Sequence, residues 1–167
     1  MPKPSISTSI RVGFGYDIHR LVPGSRLVLG GVSIPSTVSL KGHSDADVVL
    51  HAVCDALLGA ASLGDIGKHF PNSKSKYKGI SSLKLLEQVA ALLDSKHYGV
   101  VNIDATVILE YPKIGARTRS MEARIARTIG IPARSVSVKA TTNELLGTLG
   151  RSEGCAAMAI ALITSTR

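Results

Sequence analysis

Gly42-His43-Ser44-Asp45-Ala46-Asp47-Val48-Val49-Leu50-His51-Ala52-Val53-Cys54-Asp55 reads as the approach to a helix and its first turns. Ser44 is a helix-capping residue type, and Asp47, three positions on, stands where a capping-box acid belongs. Val49, Ala52, Val53, Ala56 and Ala60 then recur at helical spacing and make one apolar face. Asp47, His51 and Asp55 recur every four residues and make a polar stripe beside it. A helix packed in a core has no use for a histidine between two carboxylates. A metal centre does, because one group ligates while others orient the imidazole.

Upstream, residues 11–21 (Arg-Val-Gly-Phe-Gly-Tyr-Asp-Ile-His-Arg-Leu) read as a strand. Strand side chains alternate, so Gly15, Asp17 and His19 face one way and Phe14, Tyr16 and Ile18 the other. If the strand packs on the helix, Asp17, His19 and His51 converge. Two imidazoles and a carboxylate suit zinc, with a fourth position left for substrate. Taken alone, Asp-x-His is a common pair and fits equally a surface strand with a hydrogen-bonded histidine.

Further along, residues 26–30 and 32–35 form short strands around Gly30-Gly31, a hairpin or bulge. The central helix ends near Leu63-Gly64. Residues 65–79, rich in Gly, Lys, Ser and Pro, read as a long loop, and such loops often act as lids or binding segments. Ser81-Ser82 opens a helix whose apolar face is Leu83, Leu86, Val89, Ala90 and Leu93. A strand over 100–110 alternates through Val101, Ile103, Ala105, Val107 and Leu109, and Pro112 ends it. Residues 117–129 make an amphipathic helix, 135–140 a strand and 141–153 a loop. Residues 155–164 make an almost wholly apolar last strand. The interleaving predicts an α+β fold: one domain over residues 11–167, a mixed β-sheet with helices packed on one face. The bare sheet face needs cover, which predicts oligomerisation. Residues 1–10 lack the apolar core of a signal peptide and are expected to be a flexible extension.

The chain has 167 residues, 44% of them hydrophobic, which fits one domain. No apolar run approaches the roughly 20 residues that span a bilayer, so no membrane partner is expected. Two cysteines, Cys54 and Cys155, do not make a disulfide framework and point to a reducing compartment. The net charge of +8 suits an anionic partner, whether nucleic acid or metabolite. Aromatic content of only 4%, with no Trp, leaves few stacking platforms for nucleic acid.

Several separated segments are specific in combination. They are Gly15-Tyr16-Asp17-Ile18-His19, residues 42–48, His51 to Asp55, Leu63-Gly64-Asp65-Ile66-Gly67-Lys68, and Tyr111-Pro112-Lys113. Lys139-Ala140-Thr141-Thr142-Asn143-Glu144 and Gly150-Arg151-Ser152-Glu153-Gly154 follow. Over residues 11–163 the chain resembles the 2-C-methyl-D-erythritol 2,4-cyclodiphosphate synthase family of the non-mevalonate isoprenoid pathway. The resemblance implies a lyase that turns a cytidylyl-diphosphate substrate into a cyclic diphosphate and releases CMP. It also implies a homotrimer with sheets facing the three-fold axis and active sites between subunits, in a bacterial cytoplasm or a plastid-type organelle.

Residue by residue, the resemblance makes Asp17, His19 and His51 zinc ligands and Glu144 the holder of a second divalent ion, Mg2+ or Mn2+. His43 and Thr142 would stabilise the transition state. Asp55, one turn after His51, would accept an imidazole N–H. Ile18 and Ser44 would join the substrate contacts, with Ser44 and His43 before a helix whose N–H groups favour phosphate. Asp65, Ile66 and Gly67 would meet the polyol. Leu109, Glu110, Tyr111, Pro112, Lys113, Ile114 and Gly115 would form the cytidine pocket, offered from the adjacent subunit, and Thr141 and Asn143 would join the substrate contacts. Thr148 and Arg151 would face an axial cavity. Two departures stand out. Phe70-Pro71-Asn72-Ser73-Lys74 lacks the acids that many relatives carry after Phe-Pro, and Thr148 replaces a common aromatic. Two other readings fit the same residues less fully. A zinc-dependent phosphohydrolase would need a general base not visible here, and a basic nucleic-acid-binding trimer with structural zinc would need a fourth ligand.

Overall fold

Strand β1 (Ile10–Pro23) carries the alternation that positions the rest. The computed structural model describes residues 9–166. In it Gly13, Gly15, Asp17 and His19 of β1 face helix α1 (Val48–Ala60), while Phe14, Tyr16 and Ile18 face away and are exposed. The two backbones nearly touch. A Cβ on Gly13 would sit 1.9 Å from the Ala56 carbonyl oxygen, and one on Gly15 would sit 2.0 Å from that of Ala52. Only glycine permits that approach.

β2 (Arg26–Leu29) and β3 (Val32–Pro35) form a separate antiparallel hairpin through Gly30-Gly31. β4 (Val38–Leu40) pairs with the end of β1. After α1 come α2 (Ile66–His69), α3 (Ser82–Ser95), β5 (Tyr98–Ile108), α4 (Thr118–Ile129), β6 (Val136–Thr141), α5 (Gly147–Gly150) and β7 (Gly154–Ser165). The main sheet has the order β4-β1-β7-β5-β6, with β5 and β6 parallel and the other pairs antiparallel. This is the expected mixed α+β sheet with helices on one face.

The core lies between that face and the helices. Val49, Leu50, Val53 and Leu57 of α1 are fully buried, each worth about 1.5–3 kcal/mol of apolar burial. Cys54 and Cys155 are also buried in it as free thiols, and burial pushes the Cys155 thiol up to about 12. The opposite face stays bare. Ile10, Val12, Phe14, Tyr16 and Ile18 of β1 and Met158 and Ile160 of β7 are exposed, Val12 at 68%.

Several expectations need correction. Helix α1 begins at Val48, and its N-cap is Asp47, not Ser44. The Asp47 carboxylate accepts from Val49 N and Leu50 N at 3.1 Å each, and from Gly30 N at 2.9 Å and Gly31 N at 2.7 Å. It therefore ties the hairpin to the helix and does not belong to the polar stripe. Burial raises this carboxyl, and the bonds from Gly31 N, Gly30 N and Leu50 N work against that rise. Because the acid accepts from Val49 N and Leu50 N, α1 does not offer those two groups to a phosphate. Residues 65–79 are not an open loop but hold α2 and a 3-10 turn, Ser75–Tyr77. Val101 is exposed because a bulge between Val100 and Asn102 breaks the alternation there. The proposed N-terminal extension lies largely outside the described residues, and Ile10 already pairs with Thr164.

Candidate active site

Three donor atoms meet where β1 crosses the first turn of α1. His51 Nδ1 lies 2.8 Å from Asp17 Oδ2, His19 Nε2 lies 3.1 Å from the same oxygen, and the two imidazole nitrogens are 3.3 Å apart. Ligands of a tetrahedral zinc at 2.0–2.1 Å stand roughly 3.3–3.5 Å from one another, so the donor set fits that ion with little movement. His19 Nδ1 sits 2.9 Å from the Lys41 carbonyl oxygen, an acceptor, so that nitrogen carries a proton, and a neutral ring would offer its Nε2 lone pair to a metal in place of the bond to Asp17. Burial alone would raise the Asp17 carboxyl; hydrogen bonds from His19 and His51 outweigh it and hold the group well below the usual carboxylate range. The bond to Asp17 raises His19 above an ordinary imidazole, against the pull of burial.

The triad opens onto a cavity of about 200 Å³. His43, Ser44, Ile66, Gly67, Phe70 and Asn72 line it. His43 Nε2 is buried and has no hydrogen-bond partner among the described residues, which leaves it to meet a ligand oxygen. Tyr77, Ile80 and Leu85 also line the cavity and were not anticipated. For Tyr77 and Ile80 the sequence signal is an apolar residue in a polar stretch, and Leu85 sits within an amphipathic helix. Tyr77 packs edge-on against Phe70 with ring centroids 5.5 Å apart, which makes a wall of what reads in the sequence as a long loop. Asp65 caps α2, accepting from Lys68 N at 2.9 Å.

Asp55 does not orient an imidazole. Its Oδ1 accepts from Ile66 N at 2.7 Å and fixes the start of α2. The partners of His51 Nε2 are instead Ser82 Oγ at 2.9 Å and Ser44 Oγ at 3.1 Å. Helical period found a carboxylate one turn away, but the loop after the helix had taken it.

The remaining motifs gather elsewhere. Leu109, Lys113, Ile114, Gly115, Thr141 and Thr142 line a second cavity of about 330 Å³. Glu110 turns away from it: its Oε1 accepts from Asn143 N at 2.7 Å and Leu145 N at 3.4 Å, and so holds the loop that presents Glu144. Thr142 Oγ1 donates to Glu144 Oε1 at 3.1 Å. Thr148 lies beside Ile18 in a further pocket, and Arg151 Nε pairs with Glu153 Oε1 at 2.7 Å. Register measures the gap between the halves. Ile18, Ala156, Ile108 and Thr141 lie in one row across β1, β7, β5 and β6. Three inter-strand steps make roughly 14 Å, so within one chain the triad and the Thr142–Glu144 turn do not share a site.

The family model for the YgbB family matches residues 10–164. A 2-C-methyl-D-erythritol 2,4-cyclodiphosphate synthase from Desulfosudis oleivorans is 58% identical over 92% of this chain and 92% of its own. Its counterpart from Symbiobacterium thermophilum is 59% identical over 91% of this chain and 97% of its own. Among solved structures, the CDP complex of IspF from Plasmodium falciparum superposes with a TM-score of 0.83 at 34% identity, covering 95% of this chain and 97% of that one. The bifunctional IspDF from Campylobacter jejuni gives 0.92 at 38% identity over 95% of this chain, which spans 43% of that longer protein.

Proposed function

The chain belongs to the YgbB family of 2-C-methyl-D-erythritol 2,4-cyclodiphosphate synthases, and from that membership we propose how its residues divide the reaction. The enzyme converts 4-diphosphocytidyl-2-C-methyl-D-erythritol 2-phosphate to the 2,4-cyclodiphosphate. An oxygen of the 2-phosphate attacks the β-phosphorus, the bond to the CMP oxygen breaks, and CMP leaves. Attacking group and target are both anionic, so the barrier is one of charge and position rather than of nucleophile strength.

Asp17, His19 and His51 hold a zinc ion and Glu144 a second divalent ion, magnesium or manganese. Such ions, when bound, withdraw charge from phosphoryl oxygens. His43 Nε2 donates to a phosphate oxygen from a buried position, where a hydrogen bond is not diluted by water. Thr142, half-exposed, would donate to a phosphate oxygen from the opposite side once Glu144 turns to its ion and releases the hydroxyl. Ser44, Ile66, Gly67 and the free oxygen of Asp65 orient the polyol. Residues 70–74 and Tyr77 keep water from the cavity. The wall from Leu109 to Gly115 takes the cytidine. The two halves come from neighbouring copies of a homotrimer, a reading supported by the roughly 14 Å gap within one chain and by the bare apolar sheet face. No described helix is long and apolar enough to cross a membrane. We assign the reaction to a bacterial cytoplasm on the bacterial origin of the curated relatives alone.

The observation that carries this reading is the convergence of Asp17, His19 and His51 at the mouth of a cavity that also holds an unpartnered His43 nitrogen. His51→Ala is expected to lose bound zinc and CMP release together while retaining its secondary structure. Full CMP release from a metal-stripped preparation of that variant would refute the assignment.

A further inference from the structure

His51 has to present a bare Nδ1 to the metal, which requires its proton to sit on Nε2. The ring does not enforce this itself, because a neutral imidazole carries its proton on either nitrogen. Nε2 lies 2.9 Å from Ser82 Oγ. Ser82 is fully buried and is the first residue of α3. The Ser82 hydroxyl is also hydrogen-bonded to Asp45 Oδ1, and Asp45 Oδ2 accepts from Ser82 N at 2.9 Å.

The direction of each bond on the Nε2 side is determined; on the other side His51 Nδ1 meets Asp17 Oδ2 at 2.8 Å, a contact that a bound metal would replace. An ionised carboxylate only accepts, so Ser82 spends its single hydroxyl proton on Asp45. What remains on Ser82 Oγ is lone pairs, which can only accept from His51 Nε2–H. The carboxylate polarises the hydroxyl and makes it a better acceptor than an isolated serine. Ser44 Oγ, 3.1 Å from the same nitrogen, has no carboxylate behind it and already accepts from Ala46 N at 3.2 Å.

We propose that Ser82 and Asp45 are positioning residues of the metal centre, a hydroxyl–carboxylate relay that holds His51 in the tautomer whose Nδ1 faces Asp17 and His19. This rests on the assignment of those three residues as metal ligands. The relay does the work that helical spacing had suggested for Asp55. It also joins the metal to the cavity wall. Asp45 N donates to the Ile80 carbonyl at 3.1 Å and Gly79 N to that of His43 at 2.8 Å, so the segment that carries Ile80 and Ser82 is stitched to the one that carries His43.

The test is zinc affinity, read by competition with a chromogenic chelator, together with the imidazole N–H resonance of His51 in the zinc-loaded protein. Ser82→Ala is expected to weaken zinc roughly 10- to 100-fold, the range for lost outer partners of a ligating histidine. It should also expose the Nε2 proton to fast solvent exchange. Ser82→Thr, which keeps the hydroxyl, should recover most of the affinity. Asp45→Asn keeps the size, removes the charge and is expected to weaken zinc in the same direction. Wild-type affinity with a protected Nε2 proton in Ser82→Ala, or wild-type affinity in Asp45→Asn, overturns the relay. His51→Ala separates the two layers. If it binds zinc like the wild type, the ligand assignment itself falls; if it loses zinc while Ser82→Ala does not, only the relay falls.

Discussion

Asp17 draws two imidazoles onto one oxygen, and the consequence for the metal-free protein depends on pH in a way that can be worked out. The Asp17 carboxyl is lowered from an ordinary 3.8, so its pairing stabilises the fold above that value and is lost as pH falls below it. His19 is raised from an ordinary 6.5, so its contribution is complete below that value and is lost as pH rises through its folded value. The two ranges overlap from about pH 4 to 6.5. After chelation, the gap in Tm between wild type and Asp17→Asn should be widest in that interval and should narrow toward pH 8. A gap that stays constant from pH 4 to 8 would show that the pair contributes nothing to the fold. Zinc should reverse the trend. Its ligands must be unprotonated, so the loaded protein gains stability as pH rises through the imidazole range.

Among elements, the contact of β1 with α1 is set by Gly13 and Gly15, and that contact brings the ligands together. A methyl at Gly15 would lie 2.0 Å from the Ala52 oxygen and 2.7 Å from the Ala56 nitrogen, both backbone atoms with no rotamer to swing aside. Strand and helix must part, and Asp17 and His19 move away from His51. Gly15→Ala should therefore lose zinc by at least about tenfold and destabilise the fold by about 1–3 kcal/mol, the usual cost of overpacking. Gly59→Ala, on the exposed side of the same helix with its nearest neighbour 4.0 Å away, should instead be neutral or stabilising. Thermal denaturation and chelator competition on the two variants check this, and equal behaviour would mean the close approach is unimportant. The triad was legible in the sequence because strand alternation and helical period each fix a direction. Period could not tell the cap from the first turn, so Asp47 was given a face when it was the N-cap. Nor could it see that Ile66 N would claim Asp55. Ser82 carried no signal, since it reaches His51 only through the packing of α3 on α1. Val101 alternated correctly on paper until a bulge displaced it, and β4, three residues long, has no period to read.

At the scale of the whole molecule, each chain carries half of two sites if neighbours in a ring supply the other halves. A head-to-tail ring joins the metal side of one copy to the nucleotide side of the next. A His51→Ala copy then has a dead metal side and an intact nucleotide side, and a Thr142→Ala copy has the reverse. Each variant alone should release CMP at a small fraction of the wild-type rate. Equal amounts co-assembled at random should leave about a quarter of the sites with both halves intact, and activity should return to about a quarter of wild type. A site built within one chain has no such rescue, because every copy in the mixture carries a lesion. Phe14→Glu gives the companion experiment. Phe14 is 61% exposed on the bare sheet face, among Val12, Tyr16 and Ile160. A charge there has little to disturb in the single chain but would be desolvated in a ring. Sedimentation should show the assembly dissociating, with activity falling alongside it, while the isolated chain still binds zinc, because its ligands all come from β1 and α1 of one copy. Restored activity in the mixture without any loss in the dissociated Phe14→Glu chain would contradict the ring. The decisive combination is zinc retained and CMP release lost in the monomer, recovered only when two differently damaged copies meet.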